Sequence, residues 1–266
     1  MATYLDLFRY RELFGSLFRR DLRAKYKGSV LGLAWSLAHP VVLMLVYLLV
    51  FSVLLKIQTA DYKHYWLFLL TGLPLWVFFA TSLQSASRSL LENANLIRKV
   101  RFPRQLVPLS MVATQLVGLA VMLAIVVALS LVFVPEARDT VWLAFPLAAL
   151  AVCLVAGLGL AVASLNAIYR DVEHLVAALL LPWFFLTPIL YSLESIPGVS
   201  EHPRLVDLIH WGNPLTPPIE AIRDPLFFGE LPAAGDVLYL AVAAAVSLAL
   251  GAFVFTRVDD RVAVEV

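Results

Sequence analysis

The chain has 266 residues, 61% of them hydrophobic and 15% charged, and a mean hydropathy of +0.86. These values exclude a water-soluble domain, because most apolar side chains have only lipid or another span to face. The formal charge of +1 excludes nothing as a sum, so the placement of the charges carries the information.

Residues 9–27 open the chain's readable pattern. Phe14, Leu17, Phe18 and Leu22 recur at helical spacing, with Arg9, Arg11, Arg19, Arg20, Arg23, Lys25 and Lys27 around them. The pattern predicts an amphipathic helix lying in the plane of the membrane surface. A plain anchor with basic flanks is the alternative. Residues 1–29 hold no uninterrupted apolar core, so a cleavable signal peptide is not expected.

Six charge-free runs follow, at 31–55, 65–87, 105–134, 141–165, 175–193 and 237–256. As helices, each is roughly 28 Å or longer, enough for a hydrocarbon core. Continuous apolar runs without alternation predict helices and not a barrel. The expected fold is therefore all-α: a single polytopic membrane domain over 1–266 with six transmembrane helices. Of the 20 Lys and Arg residues, 15 fall on the N-terminal segment, the 88–104 and 166–174 connections and the tail. That bias predicts both termini in the cytoplasm.

The connections differ in character. In SRSLLENANLIRKVRFPRQ, Leu90, Leu91, Ala94 and Ile97 can line one face of a short helix, and Pro103 ends it. A cationic helix held between two spans is a docking point for a soluble partner; a loop that merely obeys the charge rule is the alternative. Residues 194–236 are rich in Pro and too apolar for a free loop. There LVDLIHWG and TPPIEAIRDPLFF predict two short helices, broken at Asn213-Pro214 and dipping back into the outer leaflet. A loop lying flat on the outer surface is the alternative.

Breakers sit inside two spans, Gly72 and Pro74 in the second, Pro182 and Pro188 in the fifth. Gly157 and Gly159 read as close-packing positions. Tyr47, Phe51, Trp76, Phe79, Trp183, Phe184 and Tyr191 are aromatic positions in the spans, where either an interfacial belt or the wall of a conduit accounts for them.

Chemistry is sparse. No G-x-x-x-x-G-K-[ST] loop is present, so the sequence predicts no ATP site of its own. No His, Cys or carboxylate cluster has metal-ligand spacing, so no metal is expected. Cys153, the single cysteine, allows no internal disulfide. No span interior holds an ionisable residue of the kind ion-driven transporters use; His39, beside Pro40, comes nearest. The chain is thus neither catalytic nor proton-coupled by expectation, and any motive force comes from a partner.

Five segments occur in order: AKYKGSVLGLAWSLAHP, ENANLIRKVRFPRQLVP, LNAIYRDVEHL, WFFLTPILYSLESIP and NPLTPPIEAIRDP. Together they resemble the membrane subunit of ABC-2-type polysaccharide exporters, the permease of O-antigen, teichoic-acid, capsule or galactan export, over about residues 9–257. The resemblance implies a homodimer working with two copies of a separate cytosolic ATPase, which holds ATP and Mg. It implies a glycan on an undecaprenyl-diphosphate carrier as cargo, a bacterial inner membrane as location, and no nucleic acid. It maps an interface helix to 9–27, whose Arg19, Arg20, Arg23, Lys25, Tyr26 and Lys27 would meet the lipid diphosphate. It maps a coupling helix to 88–100, with Glu92, Asn93, Asn95, Leu96, Arg98, Lys99, Arg101 and Phe102 facing the ATPase. It maps paired gate helices to 199–228, and it assigns channel-lining roles to the aromatics named above. An exporter of a small lipophilic compound and a membrane-bound glycosyltransferase are the competing readings.

Overall fold

The computed structural model describes residues 9–26, positions 38, 41–42, 45–46 and 49–50, and residues 64–193 and 203–265. Most of the expected first span, with Lys27, His39, Tyr47 and Phe51, lies outside the described residues. Among those described, the secondary structure is helical and no strand occurs.

Helix α1 covers Arg11–Tyr26 and carries Leu13, Phe14 and Leu17 on one side. These side chains do not simply enter lipid. Leu17 is buried, and with Leu90, Ile97, Leu106, Leu160 and Phe255 it makes an inner apolar cluster onto which Leu13 and Phe14 pack. Burial against protein holds the basic helix in one place, which a purely interfacial helix would lack.

Helix α2, Tyr65–Glu92, is the central post. Its 28 residues measure about 42 Å. Most of its apolar length is enclosed by other helices, so it reads as apolar nearly all round. It ends at Asn93 and turns into α3, Ala94–Lys99. Helix α4, Leu106–Phe133, returns across the bundle; Pro108 sits in its first turn, where an amide donor is dispensable. A tight 3-10 pair at Pro135–Arg138 and Val141–Leu143 joins it to α5, Ala144–Ile168.

Helix α6, Asp171–Leu186, departs from the expected 175–193 span. It starts earlier and stops earlier, and its 16 residues reach only about 24 Å. The cause is Pro188, which disfavours helical backbone at the residue before it; Thr187 is extended at φ −94°, ψ 130°. The chain then packs Thr187, Ile189, Leu190 and Leu193 inward as a non-helical turn. Two short helices follow, α7 at Pro203–Gly212 and α8 at Thr216–Arg223, with one π turn over Asp224–Phe228. Gly229 closes that turn at φ 69°, where a side chain would also strike Glu136. Helix α9, Ala234–Glu265, runs beyond the expected 237–256 at both ends.

Among the described residues, four helical stretches are long and apolar enough to cross a membrane: Tyr65–Glu92, Leu106–Phe133, Val141–Ile168 and Ala234–Asp259. The closest crossing is between α5 and α9. A Cβ on Gly157 would lie 2.3 Å from the Ser247 carbonyl carbon, and one on Gly251 would lie 2.3 Å from the Gly157 oxygen. Ser247 Oγ donates across this crossing to the Leu154 carbonyl, at 2.6 Å. Small residues thus bring two backbones into contact, as membrane helices allow.

Candidate functional site

The end of the bundle that carries α1 and α3 is organised by Asn93. Its side-chain amide donates back to the Ser89 carbonyl at 2.8 Å, closing α2, and its backbone carbonyl starts α3. Its Oδ1 accepts a hydrogen bond from Arg20 Nη2 at 2.7 Å. One buried amide therefore ties α1 to the α2–α3 corner. Arg20 also pairs with Asp21 at 2.8 Å, and Asp21 accepts from Ser110 on α4 at 3.0 Å.

The expected coupling residues divide into two groups. Glu92, Asn95, Arg98, Lys99 and Arg101 are exposed and form a mixed-charge surface. Asn93, Leu96 and Phe102 turn inward: Asn93 makes the corner, and Leu96 and Phe102 pack on the inner cluster. Arg104 closes the segment by donating to the Asp259 carboxylate at 2.9 Å, which fastens it to α9.

The basic residues of α1 divide as well. Arg19 and Arg23 are exposed, and Tyr26 stands in the last turn. Lys25 Nζ donates to Gln115 Oε1 at 2.6 Å, and Gln115 Nε2 donates to Ser85 Oγ at 3.0 Å. This chain of donors crosses a cavity of about 360 Å³ between α1, α2 and α4. The α2 wall is Thr81, Gln84, Ser85 and Arg88, a polar stripe at i, i+3, i+4 and i+7. Sequence reasoning missed the stripe, although its spacing was there to be counted. Arg88 pairs with Glu173 at 3.4 Å. Glu173 stands at the start of α6, where Asn166 Oδ1 accepts from the Glu173 amide at 2.8 Å and Asn166 Nδ2 donates to the Ser87 carbonyl. The cavity wall is thus braced from three helices.

Of the expected channel aromatics among the described residues, Trp76, Phe79 and Phe184 are buried. Trp76 meets Phe79 and Phe184 at ring distances of 5.7 and 5.3 Å, and Phe79 meets Trp183 at 5.1 Å. Within one chain these rings pack α2 against α6. Trp183 and Tyr191 are half-buried; Tyr191 Oη donates to the Phe185 carbonyl.

The other end of the bundle rests on two buried polar keystones, of which the sequence reading took Asn213 only as a helix break and gave Arg223 no role. Arg223 of α8 is only 2% exposed. It donates to the Pro188 carbonyl at 2.8 Å and the Ile189 carbonyl at 3.2 Å, and its guanidinium lies 3.8 Å over the Phe68 ring. Gly72 leaves room for it: a Cβ there would come 2.8 Å from Arg223 Nη2. The Pro188 and Ile189 carbonyls, which lie past the end of α6, thus find a planar fork of donors. Asn213, between α7 and α8, accepts from Trp183 Nε1 at 2.9 Å and donates to Thr187 Oγ1 at 2.9 Å. Beside them His210 reaches Glu220 at 3.0 Å and Asp236 at 2.7 Å, gathering α7, α8 and α9. Residues so far apart in the chain carry no spacing signal.

Membrane-length helices packed into one bundle, with a cavity lined by polar side chains at one end, are the frame of an integral membrane protein. The family model for the ABC-2 type transporter matches residues 12–227, and the chain belongs to that family. Relatives agree in kind. The O-antigen export system permease protein RfbA of Myxococcus xanthus is 31% identical over 253 residues, 94% of each chain. An RfbA of Klebsiella pneumoniae is 33% identical over 224 residues, 83% of this chain and 82% of its own. The polysialic acid transport protein KpsM of Escherichia coli is 24% identical over 250 residues, 89% of each chain.

Proposed function

We propose that this chain is the permease subunit of an ABC exporter that moves a lipid-linked polysaccharide across the cytoplasmic membrane of a bacterium. Two copies form the conduit, and two copies of a separate cytosolic ATPase supply the motive force and hold ATP and Mg. The cargo is a glycan on undecaprenyl diphosphate. Each copy has six spans, the run 31–55 being the first and α6 with its following turn the fifth. Both termini are cytoplasmic, and α7 and α8 form the outer gate.

The observation that carries the reading is the cavity under α1, where Lys25 and Arg88 share one polar enclosure with Gln84, Ser85 and Gln115. Polar groups at membrane depth are costly unless they serve a path or a ligand. Cations and amide donors suit a diphosphate headgroup arriving from the inner leaflet. Exposed Arg19 and Arg23 give the approach a positive field, with Tyr26 and Lys27 at the end of the same segment. Directly below, Glu92, Asn95, Arg98, Lys99 and Arg101 offer the ATPase a surface that Asn93 and Arg20 join to α1. Partner closure then moves the corner and the headgroup site together. In the dimer, the Trp76, Phe79, Trp183, Phe184 and Tyr191 layer, with Tyr47 and Phe51, forms the aromatic wall along which sugar rings slide.

The test is ATPase turnover of the complete complex in proteoliposomes. Lipid-linked glycan should stimulate it and small amphiphiles should not. Stimulation by the amphiphiles alone would replace this reading with export of a small lipophilic compound.

A further inference from the structure

His210, Glu220 and Asp236 come from three elements: the last turn of α7, the middle of α8 and the first turn of α9. His210 Nδ1 lies 3.0 Å from Glu220 Oε2, and His210 Nε2 lies 2.7 Å from Asp236 Oδ1. One ligand atom from each of the three residues falls within 4.8 Å of the other two. Among the described residues, no other three His, Cys, Asp or Glu side chains meet in this way. Spacing along the chain gives no sign of the group, because the fold alone brings its members together.

The three side chains are largely enclosed, at 17% exposed for His210, 22% for Glu220 and 7% for Asp236. Two carboxylates against a single imidazole leave a net negative charge even when the ring is protonated. Burial pushes the Glu220 carboxyl above its ordinary range; His210 and Arg223 oppose the rise, and Asp236 and Asp224 add to it. Arg223 is engaged with the Pro188 and Ile189 carbonyls and the Phe68 ring. A dication shared by a neutral imidazole and two carboxylates gives a group of no net charge, which an enclosed setting favours.

The distances suit such an ion. Zinc bonds of about 2.0–2.2 Å place tetrahedral ligands about 3.4 Å apart. Side-chain rotations that close the widest pair by about 1.4 Å would turn the present hydrogen bonds into coordination. An imidazole among the donors selects a transition metal over calcium or magnesium. Three protein ligands leave a fourth position for water. The ligands are also held in place from outside the group. The Trp211 ring stands edge-on to the His210 ring at 4.3 Å, and it packs over Gly235, where a Cβ would come within 3.2 Å of the indole. Tyr239 Oη of α9 donates to the Trp211 carbonyl at 3.0 Å. The end of α7 is thereby fixed on the start of α9, so His210 and Asp236 face each other before any ion arrives.

We infer that His210, Glu220 and Asp236 form a binding site for a transition-metal dication of the zinc class, which staples α7 and α8 to the foot of α9. The site needs neither cargo nor ATPase, so its failure would leave the export reading untouched.

The test uses the full-length chain, purified without an affinity tag, stripped with a chelator and held in lipid nanodiscs. Zinc chloride is titrated in against a chromophoric chelator, and thermal unfolding is followed in parallel. The expected result is one zinc per chain, with the unfolding midpoint raised by roughly 5 °C at zinc a hundredfold above its dissociation constant. Loss of outer-shell partners already weakens metal sites by about 10–100-fold, so His210→Gln and Asp236→Asn should each weaken zinc binding at least about 100-fold. Both should also lose the rise in midpoint. His174→Gln, exposed on α6 and outside the group, should keep both properties. X-ray absorption of the zinc-loaded parent reads the ligands without any substitution, and should show one imidazole with oxygen donors. Absence of stoichiometric binding overturns the site. So does parent-like affinity in both His210→Gln and Asp236→Asn, which would make the zinc adventitious, or a sulfur or second imidazole among the ligands.

Discussion

The two ends of the bundle are built on different terms. At one end, α1 and α3 meet over a small apolar cluster, and the polar links Arg20–Asn93, Arg104–Asp259 and Arg88–Glu173 all involve at least one partly exposed side chain. At the opposite end, Arg223 and Asn213 are enclosed, and they hold backbone carbonyls, an indole and a hydroxyl in a buried setting. Solvated links are worth little individually and exchange readily. Enclosed ones cost a great deal to break. Under the proposed export cycle this asymmetry has a use, because an end that receives a push must yield while an end that seals must not.

Arg223→Leu should break the comparison most severely. It strands the Pro188 and Ile189 carbonyls in an apolar setting and costs on the order of 3 kcal/mol. The measurement is thermal unfolding in detergent. Arg223→Lys should recover little, since an ammonium cannot reproduce the planar fork or the stacking on Phe68. A parent-like midpoint for Arg223→Leu would mean that end of the bundle has no keystone.

Glu92→Lys should have the opposite profile. Glu92 is exposed and bears no packing load, so the midpoint should hold while glycan export is lost. Export in cells, set against membrane abundance by immunoblot, checks this. Phe102→Ala should also abolish export with the protein still in the membrane. Normal export from both variants at normal abundance would remove the coupling assignment.

Asn93→Ala should fall between these two. It deletes the acceptor for Arg20 and one cap on α2, a loss of about 1 kcal/mol. Export should drop further than that small destabilisation explains, because α1 and α3 no longer move as one. Comparing the midpoint with ATPase turnover of the complex separates the two effects.

The smallest effect concerns pH. Burial lifts the Asp224 carboxyl to about 6, against an ordinary 3.8. A raised folded value means the folded state takes up the proton first, so this group favours the fold increasingly as pH falls from about 6 to about 4. Asp224→Asn should flatten that part of the profile and raise the unfolding midpoint at pH 7 by a few degrees. An unchanged slope between pH 6 and pH 4 would place the effect on another group.

What the sequence disclosed follows from how each signal is encoded. Charge-free runs and the charge bias are local sums, so α2, α4, α5 and α9 could be read directly, and α7 and α8 followed from the Asn213-Pro214 break. Gly157 was legible as a close contact because small residues deep in a span have few other uses. The end of α6 was misplaced because apolar composition continues through Ile189 and Leu190 after Pro188 has stopped the helix. The Arg223–Pro188, Asn213–Thr187 and His210–Asp236 contacts join residues 26 or more positions apart, and no periodicity records such meetings. The α2 polar stripe was in plain view, but uncharged Thr81, Gln84 and Ser85 do not interrupt a charge-free run, so a count of charges passes over them.

Helix α9 runs without a proline from Asp236, which His210 grips, to Asp259, which Arg104 grips, a rise of about 35 Å. Midway, Gly157 and Gly251 press its backbone against α5 with no side chain between them to act as a cushion. A rod clamped at both tips and pinched at its waist behaves as a pushrod through a tight bearing. Axial displacement started at the Asp259 end has no soft joint in which to dissipate before it reaches the Asp236 end.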